Sequence, residues 1–132
     1  MTGGCQCGAV GFEISGAPAA LVVCHCGQCR KQSASAFGIS VRVDASQLRL
    51  RRGEPRSWSR PTESGHVLRC SFCGTCGTRL WHQREGGGTL SVKGGSLDVP
   101  IDLNGAVHIF TAGKLPGVVI PAGAEQHSAA PG

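Results

Sequence analysis

The sequence contains no tyrosine, one methionine, two tryptophans and four phenylalanines among its 132 residues. So few large side chains leave little bulk for a hydrophobic core, and 21 glycines and seven prolines thin it further. A chain of this length holds one domain rather than two, and a domain short of core needs disulfides or a metal to hold it. Long apolar runs are missing as well. The longest, such as Ala19 to Val23, falls far short of the roughly 20 residues a membrane helix requires, so no membrane partner is expected. Met1 to Cys5 shows no basic segment leading into an apolar run, so no secretory signal is read and a cytoplasmic location is expected. No segment sustains a helical period, and nothing repeats at solenoid spacing.

What the chain does have is cysteine, eight residues of it. Thiols stay reduced in the cytosol, where clustered cysteines point to metal rather than to disulfides. The formal charge is +5, with arginines grouped at Arg49, Arg51, Arg52, Arg56 and Arg60. Leu48 and Leu50 alternate with Arg49 and Arg51, as on a half-buried strand with a solvated face. The domain lacks an interleaved aromatic platform on which bases could stack, so no specific nucleic-acid partner is expected.

Short strands are read at Ala9 to Ser15, Ala20 to Val23, Phe37 to Val43, Leu48 to Arg52, Val67 to Phe72, Thr89 to Lys93 and Val107 to Phe110. Their Gly, Pro, Ser and Asp boundaries suit a small all-β domain. Glu85 to Gly88 reads as a hairpin tip, and Gln28 to Ser33 as a turn of helix. The domain is expected to span residues 1–121, with 122–132 a flexible tail.

The cysteines fall into three groups. Cys73 and Cys76 lie two residues apart in Phe72-Cys-Gly-Thr-Cys-Gly77, a spacing that lets both sulfurs reach one ion. Cys5-Gln-Cys7 is too tight for a relaxed disulfide but suits two ligands of a tetrahedron. The simplest partition joins Cys5, Cys7, Cys73 and Cys76 in a closed structural zinc site that ties the beginning of the chain to its middle. Cys24, Cys26 and Cys29 remain, three thiolates for a second zinc with one open position, as catalytic sites have. Three thiolates on a divalent ion leave a net negative charge and weaken its Lewis acidity towards water. Such a site suits thiol chemistry better than hydrolysis, with Arg30 and Lys31 nearby to attract an anion. His25 would point away from its neighbouring cysteines and act as a hydrogen-bonding residue behind them. Cys70 reads first as a buried small hydrophobe, with Cys70, Cys73 and Cys76 the alternative grouping. His66, His82, His108 and His127 have no partner spacing and read as ordinary polar residues. Trp58 and Trp81 read as core or pocket wall.

Gly3 to Val10, Cys24 to Lys31, Phe72 to Gly77, Gly94 to Asp98 and His108-Ile109 together resemble the glutathione-dependent formaldehyde-activating enzymes, with which the centromere protein V domain is grouped. The resemblance implies an all-β Mss4-like (β-tent) fold, structural zinc on Cys5, Cys7, Cys73 and Cys76, and catalytic zinc on Cys24, Cys26 and Cys29. It implies condensation of glutathione with formaldehyde to S-(hydroxymethyl)glutathione, a carbon–sulfur lyase activity with glutathione and a small aldehyde as partners. The alternative is a module that carries glutathione, or docks a protein, without turnover. The chain departs from the family pattern at Ala34, where glycine is usual, at Ala36, where proline is common, in the extra Cys70, and after His108-Ile109, where a tryptophan is often found.

Overall fold

The computed structural model describes residues 1–131. Ten strands and one short helix follow one another as β1 (Thr2–Gly4), β2 (Gly11–Ile14), β3 (Ala20–Cys24), α1 (Gly27–Ser33), β4 (Gly38–Asp44), β5 (Leu48–Arg52), β6 (Arg56–Pro61), β7 (Val67–Phe72), β8 (Arg79–Arg84), β9 (Thr89–Lys93) and β10 (Val107–Ile109). The all-β expectation holds, and every expected strand is present, its ends shifted by two residues at most. Strands β1, β6 and β8 are additions, and the expected turn of helix is α1.

The strands form two sheets. A small one runs β1-β2-β5; a large one runs β10-β3-β4-β9-β8-β7-β6, with only β10 and β3 parallel. The core lies where the sheets face each other. Phe12 and Ile14 alternate on β2, and meet Val41 and Val43 on β4, Leu80 on β8, and Leu90 and Val92 on β9. Alternate residues on a strand share a face, so β2, β4 and β9 each donate two apolar side chains inward and β8 donates Leu80. Trp81 packs edge-on against Phe12, 5.8 Å between ring centroids, as core wall. Trp58 is 54% exposed on β6. Among the described residues no helix is long and apolar enough to cross a membrane.

Two features differ from the sequence expectation. On β5 only Leu48 packs on the core; Leu50 is 40% exposed, because β5 pairs with β2 alone at the edge of the small sheet. Residues 122–132 were expected as a flexible tail. The amide of His108 donates to the Glu125 carbonyl (2.9 Å) and the amide of His127 to the His108 carbonyl (2.9 Å), so the part of the segment around Glu125 and His127 lies hydrogen-bonded along β10, while residue 132 lies outside the described residues. Further bonds run from Phe110, Thr111 and Ala112 to the carbonyls of Ala129, His127 and Ser128.

Candidate metal centres and the cavities beside them

Cys5 and Cys7 sit in the turn between β1 and β2, and Cys73 and Cys76 in the turn between β7 and β8, so each sheet contributes one hairpin tip. Both turns have the same local build. Gly8 and Gly77 follow the second cysteine of each pair with φ of 82°, a conformation that side chains with a Cβ rarely adopt. The tips are joined directly, since the amide of Gln6 donates to Thr78 Oγ1 (3.0 Å). The four sulfurs lie within 4.8 Å of one another. Zinc–sulfur bonds of about 2.3 Å place tetrahedral ligands about 3.8 Å apart. The Cys5–Cys7 and Cys7–Cys73 separations are 3.6 and 3.8 Å, so the donor set fits zinc. Amides of Val10 and Thr75 donate to Cys5 Sγ (3.1 Å) and Cys73 Sγ (3.4 Å), supporting thiolate character. The Thr78 hydroxyl, and then its amide, pulls the Cys76 thiol down to about 5.

The second group forms where β3 runs into α1. Cys24 ends β3, Cys26 caps the helix, and Cys29 lies in its first turn. Cys26 Sγ accepts from the Cys29 amide (3.3 Å), so a sulfur takes the role that a serine or aspartate oxygen has in most helix caps. The three sulfurs lie within 4.8 Å of one another, and no further His, Cys, Asp or Glu among the described residues joins them. Glycine at 38 lets the helix close on the sheet: a Cβ there would stand 3.1 Å from Cys29 Cβ and 3.0 Å from Gln32 Nε2. A hydrogen bond from Cys24 holds the Cys29 thiol down at about 6 against the opposing effect of burial. Cys26, Lys93 and Arg60 add to the lowering, while Cys24, which donates that bond, is shifted up.

The helix ends in a Schellman turn, in which the amides of Ala34 and Ser35 donate to the carbonyls of Lys31 and Arg30. Ala34 has φ 51°, which gives the reason for a glycine at this position. Arg30, expected near the substrate, spends Nη1 on the carbonyls of His25 (3.0 Å) and Gly113 (2.6 Å) and fastens α1 to the segment after β10. Lys31 lies on a cavity wall.

His25 is fully buried and turned away from the sulfurs, as expected. Its Nε2 meets His108 Nδ1 at 3.0 Å, with the rings stacked. His108 is therefore no ordinary surface histidine. The parallel β3–β10 pairing sets it beside Val23 and buries it. Burial lowers the pKa of both rings, His108 and Lys114 adding to the effect on His25, so the pair is neutral and one nitrogen donates to the other.

Two cavities share α1 as a wall, and Cys29 lines one of them. One, of about 290 Å³, is lined by Cys29, Lys31, Trp58, Arg60, Cys70 and His82 with other residues. Cys70 is buried in the wall of this cavity and lies outside both sulfur clusters. The other, of about 450 Å³, lies beyond α1 and includes Ser33, Ser35, Phe37, Cys76 and Gly94 to Ser96. Gln32, Arg79 and Lys93 line both, and no acidic residue lines either. His82 sits in this cationic setting with its pKa pushed down to about 3, by burial first and then by Lys93, Arg79, Arg60 and Arg42. Burial lowers the pKa of Lys93 too. No spacing signal marks Arg60, Arg79, His82 or Lys93 in the chain; only the antiparallel pairing of β6 to β9 gathers them.

Comparison with known proteins agrees with this geometry. Residues 1–113 match the family described as glutathione-dependent formaldehyde-activating enzyme. The chain is also similar to a Rhodobacter sphaeroides protein whose crystal structure comes from structural genomics. The two are 25% identical, with a TM-score of 0.59, over 96% of this chain and 99% of the other.

Proposed function

The chain belongs to the glutathione-dependent formaldehyde-activating enzyme family, and on that premise we propose that it joins glutathione, or a similar low-molecular-weight thiol, to a small aldehyde such as formaldehyde. The observation that carries the reading is the contrast between its two sulfur clusters. Four cysteines close one set, whereas three form the other and Cys29 faces a cavity. Zinc held by Cys24, Cys26 and Cys29 would supply a soft Lewis acid that favours a thiolate over a thiol.

The chain's own residues do the rest. Trp58 and Leu68 give the cavity apolar walls, and Cys29 marks the end where sulfur chemistry takes place. A carbon–sulfur bond forms as the thiol sulfur adds to the aldehyde carbon. The carbonyl π pair moves to oxygen, and the proton lost by the thiol ends on that oxygen. Cations on the wall, Arg60 with Lys31 at the side, favour the negative charge that builds on oxygen. Arg30, bound to two backbone carbonyls, positions α1 and is replaced in the anion-stabilising role by these residues. Cys5, Cys7, Cys73 and Cys76 hold the structural zinc in this reading.

Steady-state measurement with varied thiols and aldehydes tests the proposal. An enzyme consumes many equivalents of aldehyde per chain at a rate proportional to protein. Uptake that stops at one equivalent of thiol, with no acceleration of adduct formation, would make the protein a glutathione carrier instead.

A further inference from the structure

Six buried side-chain nitrogen and oxygen atoms find no hydrogen-bond partner among the described residues. Two are the outer nitrogens of the His25–His108 pair. The other four belong to Gln32 (Nε2 and Oε1), Arg79 (Nε) and Lys93 (Nζ). These are also the three residues that line both cavities, and no other residue lines both. They come from separate elements, α1, β8 and the end of β9. Buried polar atoms are seldom left unpaired, because desolvation is not recovered, and a buried ammonium is the most costly case. Lys93 is 7% exposed. Three donors and one acceptor thus converge on the partition between two cavities that carry no acidic residue.

The donor pattern limits the ligand. Lys93 Nζ, Arg79 Nε and Gln32 Nε2 suit the two oxygens of a carboxylate, and Gln32 Oε1 requires an adjacent N–H donor. A peptide carboxyl terminus offers this pair, a carboxylate with its own amide N–H next to it. An α-amino acid end offers a carboxylate with an ammonium, which Lys93, Arg79, Arg60 and Lys31 would repel. We propose that Gln32, Arg79 and Lys93 form a recognition site for the carboxyl-terminal end of a peptide thiol, so that glutathione is gripped by its glycyl carboxylate and glycyl N–H rather than by its γ-glutamyl end.

The inference rests on the thiol reading only for where the ligand's sulfur lies, so the test removes the sulfur chemistry. S-methylglutathione and its glycinamide, in which the carboxyl terminus is an uncharged amide, are titrated calorimetrically into the metal-loaded protein. S-methyl-cysteinylglycine, which lacks the γ-glutamyl residue, is the third ligand. S-methylglutathione is expected to bind at least about tenfold more tightly than its glycinamide, as hydrogen bonds to a charged group are lost. S-methyl-cysteinylglycine should stay within about threefold of S-methylglutathione. In Lys93→Met and Gln32→Leu the glycyl-carboxylate preference should fall at least threefold, while metal content stays constant and Tm does not drop, because an uncompensated buried group has been removed. A wild-type preference below threefold, a preference for the γ-glutamyl end, or a preference unchanged in both variants overturns the site. Loss of metal from Lys93→Met also overturns it, by making Lys93 a counter-charge to the cysteine thiolates. Failure of turnover with the glycyl-carboxylate preference intact would sink the enzymatic reading and leave this site standing.

Discussion

Ligand loss should cost the two sulfur clusters different amounts of stability, by a margin that follows from where they tie the chain. A cross-link stabilises a fold by the loop-closure entropy it removes from the unfolded chain. Cys7 and Cys73 meet across 66 positions, and the chain-entropy relation gives about 4 kcal/mol for a loop of that length. Cys24 and Cys29 are five positions apart, and the same relation gives about 2 kcal/mol. Cys73 adds a complication, being 1% exposed in the main core, where truncation also removes packing. Cys76 lies outside that core and is exposed, so Cys76→Ser isolates the cross-link.

Urea unfolding followed by circular dichroism would measure the difference, with metal per chain determined on the same samples. The wild type should carry two zinc ions and each variant one. Cys76→Ser should lose about 4 kcal/mol and Cys29→Ser about 2 kcal/mol. For a domain of ordinary stability, on the order of 5–15 kcal/mol, the first loss approaches the limit of folding and the second does not. Equal losses, or a larger loss for Cys29→Ser, would refute the assignment of Cys5, Cys7, Cys73 and Cys76 as the structural site.

Ala34→Gly should raise stability by about 0.5–1 kcal/mol in the same assay, since φ 51° at the helix end strains any residue with a Cβ; a destabilised variant would contradict the left-handed cap. His82 should make stability depend on pH. Its folded pKa of about 3 lies below the unfolded value, so between pH 6.5 and 3 the unfolded chain binds the extra proton and stability falls as pH falls. Relative to His82→Gln, the wild type should lose about 2 kcal/mol more between pH 7 and pH 5. Equal losses would show that His82 is not held neutral.

Both ligand sets could be read before any fold was known, because metal ligation by neighbouring cysteines is written in local spacing. Two residues between Cys73 and Cys76, or between Cys26 and Cys29, say the same thing on any scaffold. The hairpin at Glu85 to Gly88 was equally plain, since its glycines have few other uses. Strands β6 and β8 were not. In Arg56–Pro61 and Arg79–Arg84 polar and bulky residues mix, and neither segment shows the apolar alternation that marks a core strand. Those strands carry Trp58, Arg60, Arg79 and His82, so the cavity wall was hidden with them. His108 was misread for a related reason: its partner His25 lies 83 positions away, and only a parallel strand pair brings the rings together. The segment after Pro121 looked free because its small polar residues have no core face. Its attachment runs through backbone hydrogen bonds, to which composition is blind.

The placement of α1 links the chemistry of the sulfurs to that of the cavity partition. The helix buries none of its own residues completely, so apolar packing contributes little to its position. It is held by Arg30 on the carbonyls of His25 and Gly113, and by any metal on Cys26 and Cys29. Seven residues are too few for a helix to persist without such ties. Cys29 and Gln32 are three positions apart on this helix and belong to the two different sites. Metal on the cysteines therefore helps to hold Gln32 at the partition, and a carboxyl terminus bound by Gln32 helps to hold Cys29 where the metal needs it. Linkage requires the two effects to be equal, each site tightening the other by the same factor. One short helix, poorly packed on its own, is thereby enough to make the reactive sulfur end and the recognised carboxylate end of a ligand act together.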